Sequence, residues 1–150
     1  MNTPHDIAIE RIRQLRKRHA FTQQDLADRL NLLGAHTDRA AVAKVELGKR
    51  GLSLNELFQY AMALDVAPVH LVASPDSDDP ISLGPNMECT PDEMRAWVRG
   101  QRPFLWQDVR TYYSEVPKKE FEDAQRARVS WEQIPYRIQK PQVGLGEEQS

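Results

Sequence analysis

The stretch Phe21–Gly48, FTQQDLADRLNLLGAHTDRAAVAKVELG, constrains the fold more than any other part of the chain. Thr22-Gln23-Gln24-Asp25 has the form of a capping box, in which a hydroxyl starts a helix and a carboxylate reaches back to the cap. Leu26, Ala27, Leu30 and Leu33 then recur at helical spacing, which predicts a helix from Gln23 to Leu33. Gly34 suits the left-handed residue that ends a helix. Asp38 is placed to cap a second, shorter helix over Arg39–Leu47, with Val42 and Val45 facing inward and Gly48 closing it. Two short helices joined by a bend cannot bury both apolar faces alone, so this unit requires neighbours.

The neighbours carry the same start signals. Thr3-Pro4-His5-Asp6 launches a helix from Pro4 to His19 with Ala8, Ile12 and Leu15 on its buried face. Ser53-Leu54-Asn55-Glu56 launches another that should bury Leu57, Phe58, Ala61 and Leu64, and Pro68 starts a short fifth helix through His70 to Val72. These five helices define an expected domain over residues 1–73. Residues 74–90 are expected to be a linker, because Ser74–Pro85 is rich in Pro, Asp and Ser; Ile81–Leu83 suggests a brief extended segment. Residues 91–136 read as a small helical region: a box at Thr90-Pro91-Asp92-Glu93, a stop at Gly100, then helices over Phe104–Ser114 and Lys118–Val129 and a last cap at Ser130. Residues 137–150 lack periodicity and are expected to form a disordered tail. The fold class expected is all-α.

Composition limits the function classes. Hydrophobic residues make up 40% and charged residues 28%, ordinary values for a globular protein. No apolar run approaches the ~20 residues that span a bilayer, and MNTPHDIAIE lacks the features of a signal peptide, so the expected location is the cytoplasm, at the nucleoid. The lone Cys89 has no partner for an internal disulfide, in keeping with a reducing compartment. The net charge of −2 is unevenly spread: residues 1–72 hold ten Lys/Arg against eight Asp/Glu, and the remainder ten against fourteen. Two basic clusters stand out, Arg11-Arg13-Arg16-Lys17-Arg18 and Lys49-Arg50.

A helix pair of this shape suits a helix-turn-helix, whose second helix lies in a DNA major groove. The flanking residues add a resemblance. TQQDLA, then AVAKVELGKR, then LSLNELFQYAMALDVAPVHLV resembles the Cro/CI (Xre-type) family of bacterial and phage regulators. Gln23, Leu26, Ala27, Val42, Val45, Glu46, Gly48, Leu57, Ala61, Leu64 and Val66 match its pattern in order and spacing over Ile9–Val72. The block RAWVRGQRPF is similar to a segment of actinobacterial regulators of that type. The resemblance implies double-stranded DNA as partner, a homodimer, and repression as the commoner mode.

It also implies site residues. Arg39, Ala40, Ala43 and Lys44 would project from the reading helix, Arg39 toward a guanine edge and the alanines toward thymine methyls. Gln23 and Thr22 would meet phosphate at a helix N-terminus. Lys49 and Arg50 would hug the backbone after the reading helix, and Thr37 in the bend would approach a phosphate. Arg16 and Glu46 occupy positions expected to pair as a structural ion pair. One departure is the length between Leu26 and Glu46, about five residues more than the family's tight version, whose turn spans 3–4 residues.

Catalysis finds no support. The four histidines show neither HExxH nor a zinc spacing with cysteine, and no GxSxG elbow is present. No enzyme activity, metal or cofactor is expected. The alternative function is an antitoxin or partner-binding regulator whose C-terminal region contacts another protein. Eight of the eleven aromatic residues lie in that half, as the core of a small subdomain or as a partner surface.

Overall fold

A computed structural model describes residues 2–131. The elements run α1 (Pro4–Arg18), α2 (Gln23–Leu32), α3 (Arg39–Glu46), α4 (Leu54–Ala63), α5 (Val69–Val72), β1 (Ile81–Gly84), β2 (Met87–Cys89), α6 (Pro91–Val98), α7 (Val109–Ser114) and α8 (Lys118–Trp131). The architecture is helical with one small antiparallel hairpin, β1–β2. The expected tail over 137–150 lies outside the described residues, whereas Ser130, expected to cap a new turn, lies inside α8, which continues to Trp131.

Helix starts follow the local chemistry. Full capping boxes open α1, α2, α4 and α6. At α2, the Asp25 N–H donates to the Thr22 hydroxyl at 3.0 Å and the Thr22 N–H donates to the Asp25 carboxylate at 2.8 Å. Asp38 caps α3 by accepting from the Ala41 N–H at 2.8 Å. Each such cap satisfies N–H groups that a helix start leaves unpaired, a contribution of about 1 kcal/mol.

The main core gathers Ala8, Ile12 and Leu15 of α1, Leu26, Ala27 and Leu30 of α2, Val42 and Val45 of α3, and Tyr60, Ala61 and Leu64 around α4. Most of these are fully shielded from water, and each large side chain so buried contributes roughly 1.5–3 kcal/mol. Two expected core residues lie outside it. Leu33 is 45% exposed because α2 ends one residue earlier, and Phe58 is 54% exposed because the buried face of α4 turns on Tyr60, Ala61 and Leu64 instead.

The segment read as a linker is ordered around a second, smaller core. Ile81 and Cys89, cross-strand partners in the hairpin, are buried with Ile7, Ala73, Met94 and Phe104. The Ser82 N–H donates to the Asn2 carbonyl at 2.9 Å, tying the hairpin to the start of α1. Asn86 turns the hairpin at φ +66°, a conformation asparagine tolerates, so the Pro-Asn pair that reads as loop composition serves a strand turn. Helix α1 thereby belongs to both cores: Ile7 faces one and Ala8, Ile12 and Leu15 the other. Burial raises the Cys89 thiol to about 12, which leaves it protonated and inert.

Candidate nucleic-acid interface

Helix α3 is held from one side. Val42, Val45 and Glu46 are buried, whereas Arg39, Ala40 and Lys44 are exposed and Ala43 is partly so. Small residues between two cations leave this face of α3 free of bulky side chains. Among the described residues, no ion pair engages Arg39, Lys44 or Lys49.

Glu46 anchors this helix. Arg16 donates from Nε to Oε1 at 2.5 Å and from Nη2 to Oε2 at 3.0 Å, a two-pronged pair that reaches from α1. The remaining guanidinium nitrogen, Nη1, donates to the Phe21 carbonyl at 2.8 Å. The bond to Glu46 holds the Arg16 guanidinium above its ordinary value, keeping it charged. Gln23 completes the network, its Nε2 donating to Glu46 Oε2 at 3.0 Å. The side chain expected on phosphate therefore links α2 to α3, because its first-turn position faces the Glu46 carboxylate. Thr22 likewise turns its hydroxyl to its own helix cap.

The connection between α2 and α3, residues 33–38, is built rather than loose. Gly34 adopts φ +91°, and the Ala35 N–H returns to the Leu30 carbonyl at 3.1 Å. The Asn31 amide then clamps Thr37 on both sides, accepting its N–H at 2.9 Å and donating to its carbonyl at 2.9 Å. Thr37 is partly buried and His36 exposed at the rim of a shallow depression beside Asp38 and Ala41. Nothing in the spacing of the sequence singles out Asn31; its role depends on a bend whose shape the residues alone leave open.

After α3, Gly48 at φ +70° closes the helix, and the Lys49 N–H returns to the Lys44 carbonyl at 2.9 Å. Lys49 is exposed, while Arg50 donates to the Glu56 carboxylate at 2.5 Å. A larger residue at Gly48 would meet only Ile9 Cδ1 at 4.0 Å, so backbone strain, not crowding, selects glycine.

The basic run of α1 is not an open cationic face. Arg11 is 3% exposed, donates from Nε to the His70 carbonyl at 3.1 Å and lies 3.6 Å from Asp76. Arg13 pairs with Glu10 at 2.7 Å and Arg18 with Asp76 at 2.7 Å. Of the five cations in the run, only Lys17 has no ion pair among the described residues. A signal for Arg11 was available: it shares the helical spacing of Ile7, Ala8, Ile12 and Leu15, and so falls on the buried face.

Among the described residues, no group of three or more His, Cys, Asp or Glu side chains is placed to hold a metal ion. Within the same limits, no helix is long and apolar enough to cross a membrane.

A comparison with protein families matches residues 12–71 to the family described as helix-turn-helix. No curated protein and no solved structure matches the chain. The matched span runs from the middle of α1 through α5, and includes the Arg16–Glu46 pair, the built bend and the exposed face of α3. Residues 12–71 are a helix-turn-helix domain of the Cro/CI (Xre) type, a kind of domain that binds DNA in transcription regulators.

Proposed function

We propose that the chain is a sequence-specific regulator, a repressor, that binds a pseudo-palindromic operator as a homodimer in the cytoplasm. The observation that carries this reading is the contrast within α3. Its inner face is anchored by Val42, Val45 and Glu46, while Arg39 and Lys44 stand exposed without ionic partners among the described residues. In this reading Arg39 contacts a base edge, Ala40 and Ala43 pack on methyl groups, and Lys44 and Lys49 grip phosphate. Thr22, Thr37 and Arg50 border the duplex. Arg16, Glu46 and the side chain of Gln23 set the position of α3 and leave base contact to others. One module covers few base pairs, and two copies double the phosphate contacts.

A mobility-shift titration on the DNA upstream of the chain's own coding sequence tests the reading. Binding should show two half-sites with centres about 10 base pairs apart. Affinity should fall about 10³–10⁵-fold between 50 and 200 mM salt if six to ten phosphates are neutralised. Absence of binding, or a single chain on an asymmetric site with a shallow salt slope, overturns it.

A second reading, contact with another protein through residues 91–136, is supported by exposed Val98, Leu105, Trp106 and Val109 in one short stretch. Replacing Leu105 and Trp106 by serine should abolish partner capture and leave DNA binding intact; unchanged capture removes this role.

A further inference from the structure

Helix α4 shows solvent an apolar stripe that the main core does not use. Leu54, Phe58 and Met62 are 71%, 54% and 65% exposed. Their i, i+4, i+8 spacing places them on one face over about 12 Å of helix. Charge is missing from this face. The helix reads LNELFQYAMA, and its single ionised residue, Glu56, is turned to the Ser53 N–H at 2.8 Å and to Arg50. Phe and Met exposed together without charge are the composition of an interface centre.

We propose that this face pairs with the same face of a second copy, the two α4 helices running antiparallel across a twofold axis at Phe58, when two chains occupy one DNA site. The proposal rests on the dimeric DNA-binding reading above and adds the surface that joins the copies.

Charge placement supports a second copy running antiparallel. Exposed Lys49, which no ion pair engages among the described residues, stands just before the N-terminal end of α4; Asp65, 3.4 Å from Arg29 yet 70% exposed along its side chain, stands just after its C-terminal end. Antiparallel pairing sets the basic end of one copy against the acidic end of the other, and Leu54 against Met62. Parallel pairing would set like against like. The helix dipoles favour the same arrangement, since a positive N-terminus then lies beside a negative C-terminus.

The size of the stripe says when pairing occurs. Three side chains from each copy remove on the order of 600 Å² from water, about half of the ~1,200 Å² at which stable interfaces begin. Free chains should therefore stay monomeric at micromolar concentration. Two chains on adjacent half-sites have a high effective concentration, and a small apolar contact then suffices.

The test uses the full chain and two DNA probes, the upstream fragment with both half-sites and the same fragment with one half-site scrambled. Phe58→Glu, at an exposed position the core does not need, should weaken two-copy binding about 30-fold while one-site affinity stays unchanged. Met62→Glu should act in the same direction. Phe58→Cys should crosslink copy to copy only on the two-site probe, whereas Thr111→Cys, exposed on α7, should not. Cooperative two-copy binding that survives both glutamate variants, with no Phe58→Cys crosslink, overturns the α4 pairing while the dimeric reading stands. A wild-type chain that leaves both probes unbound overturns the DNA reading and this proposal together.

Discussion

The basic run of α1 and the basic face of α3 carry the same kinds of side chain and differ in what already holds them. Arg11, Arg13, Arg16 and Arg18 each meet an acidic partner inside the chain, whereas Arg39 and Lys44 meet none among the described residues. A cation already paired has lost much of what it would gain from a phosphate, since its partner must be displaced first. Cation density along a sequence is therefore a poor guide to which cations are free to meet a phosphate. The α3 cations are fewer, yet both are unpaired among the described residues, as only Lys17 is in the α1 run.

Breaking the anchor should have the largest effect. Glu46→Ala strands Arg16, of which 13% of the side chain is exposed, and frees Gln23 as well. The expected loss of folding stability is about 3–5 kcal/mol, measured by denaturant unfolding, with DNA affinity falling only as α3 loses its position. A variant with wild-type unfolding and lost binding would place Glu46 at the DNA instead.

Arg39→Ala comes next. It should cost roughly 1–3 kcal/mol of operator binding and relax the preference at one base pair, with unchanged unfolding. Lys44→Ala should weaken all sequences nearly evenly and reduce the salt slope by about 1. A Lys44→Ala variant that alters preference at one position would exchange the two roles.

Much of this arrangement was legible in the residues. The capping boxes at Thr3, Thr22, Ser53 and Thr90 locate helix starts because their geometry is local. The Arg16–Glu46 contact could be anticipated because a carboxylate on an apolar face needs a partner and the resemblance pointed to one. What depends on tertiary packing was harder to read. Gln23 reads as a phosphate contact, and only packing reveals that its Nε2 also meets Glu46. Ser74–Pro85 looks like a tether until Ile81 and Cys89 find Ile7 and Phe104. Leu33 and Phe58 fit a helical period, and a period alone does not say how wide the buried face is.

The smallest expected effect is a pH dependence at the back of α1. Burial, then the charges of Arg99, Arg95 and Arg11, hold the His70 imidazole below its ordinary value. Its Nδ1 is buried without a hydrogen-bond partner, Arg99 Nη2 lies 3.4 Å from Nε2, and Asp76 sits across Arg11. A depressed value means that the unfolded chain takes up the proton more readily. Stability from this group is therefore present above pH ~6.5 and lost as pH falls below it. Urea unfolding at pH 7 and pH 5 should show the loss, and His70→Phe should flatten it; an equal slope in both proteins would remove His70 as the cause.

The most direct measurement compares two double variants on one operator fragment, Arg39→Ala/Lys44→Ala in α3 and Arg13→Ala/Arg18→Ala in α1, with helicity recorded for each. The α3 pair should lose at least about 30-fold in affinity at constant helicity, following from the loss of one base contact and one phosphate contact. The α1 pair should bind nearly as the wild type does, since exposed pairs of this kind contribute only about 0.2–1 kcal/mol to the fold. Unchanged affinity in the folded α3 variant, or a larger loss in the α1 variant, would contradict the assignment of α3 as the DNA-reading helix.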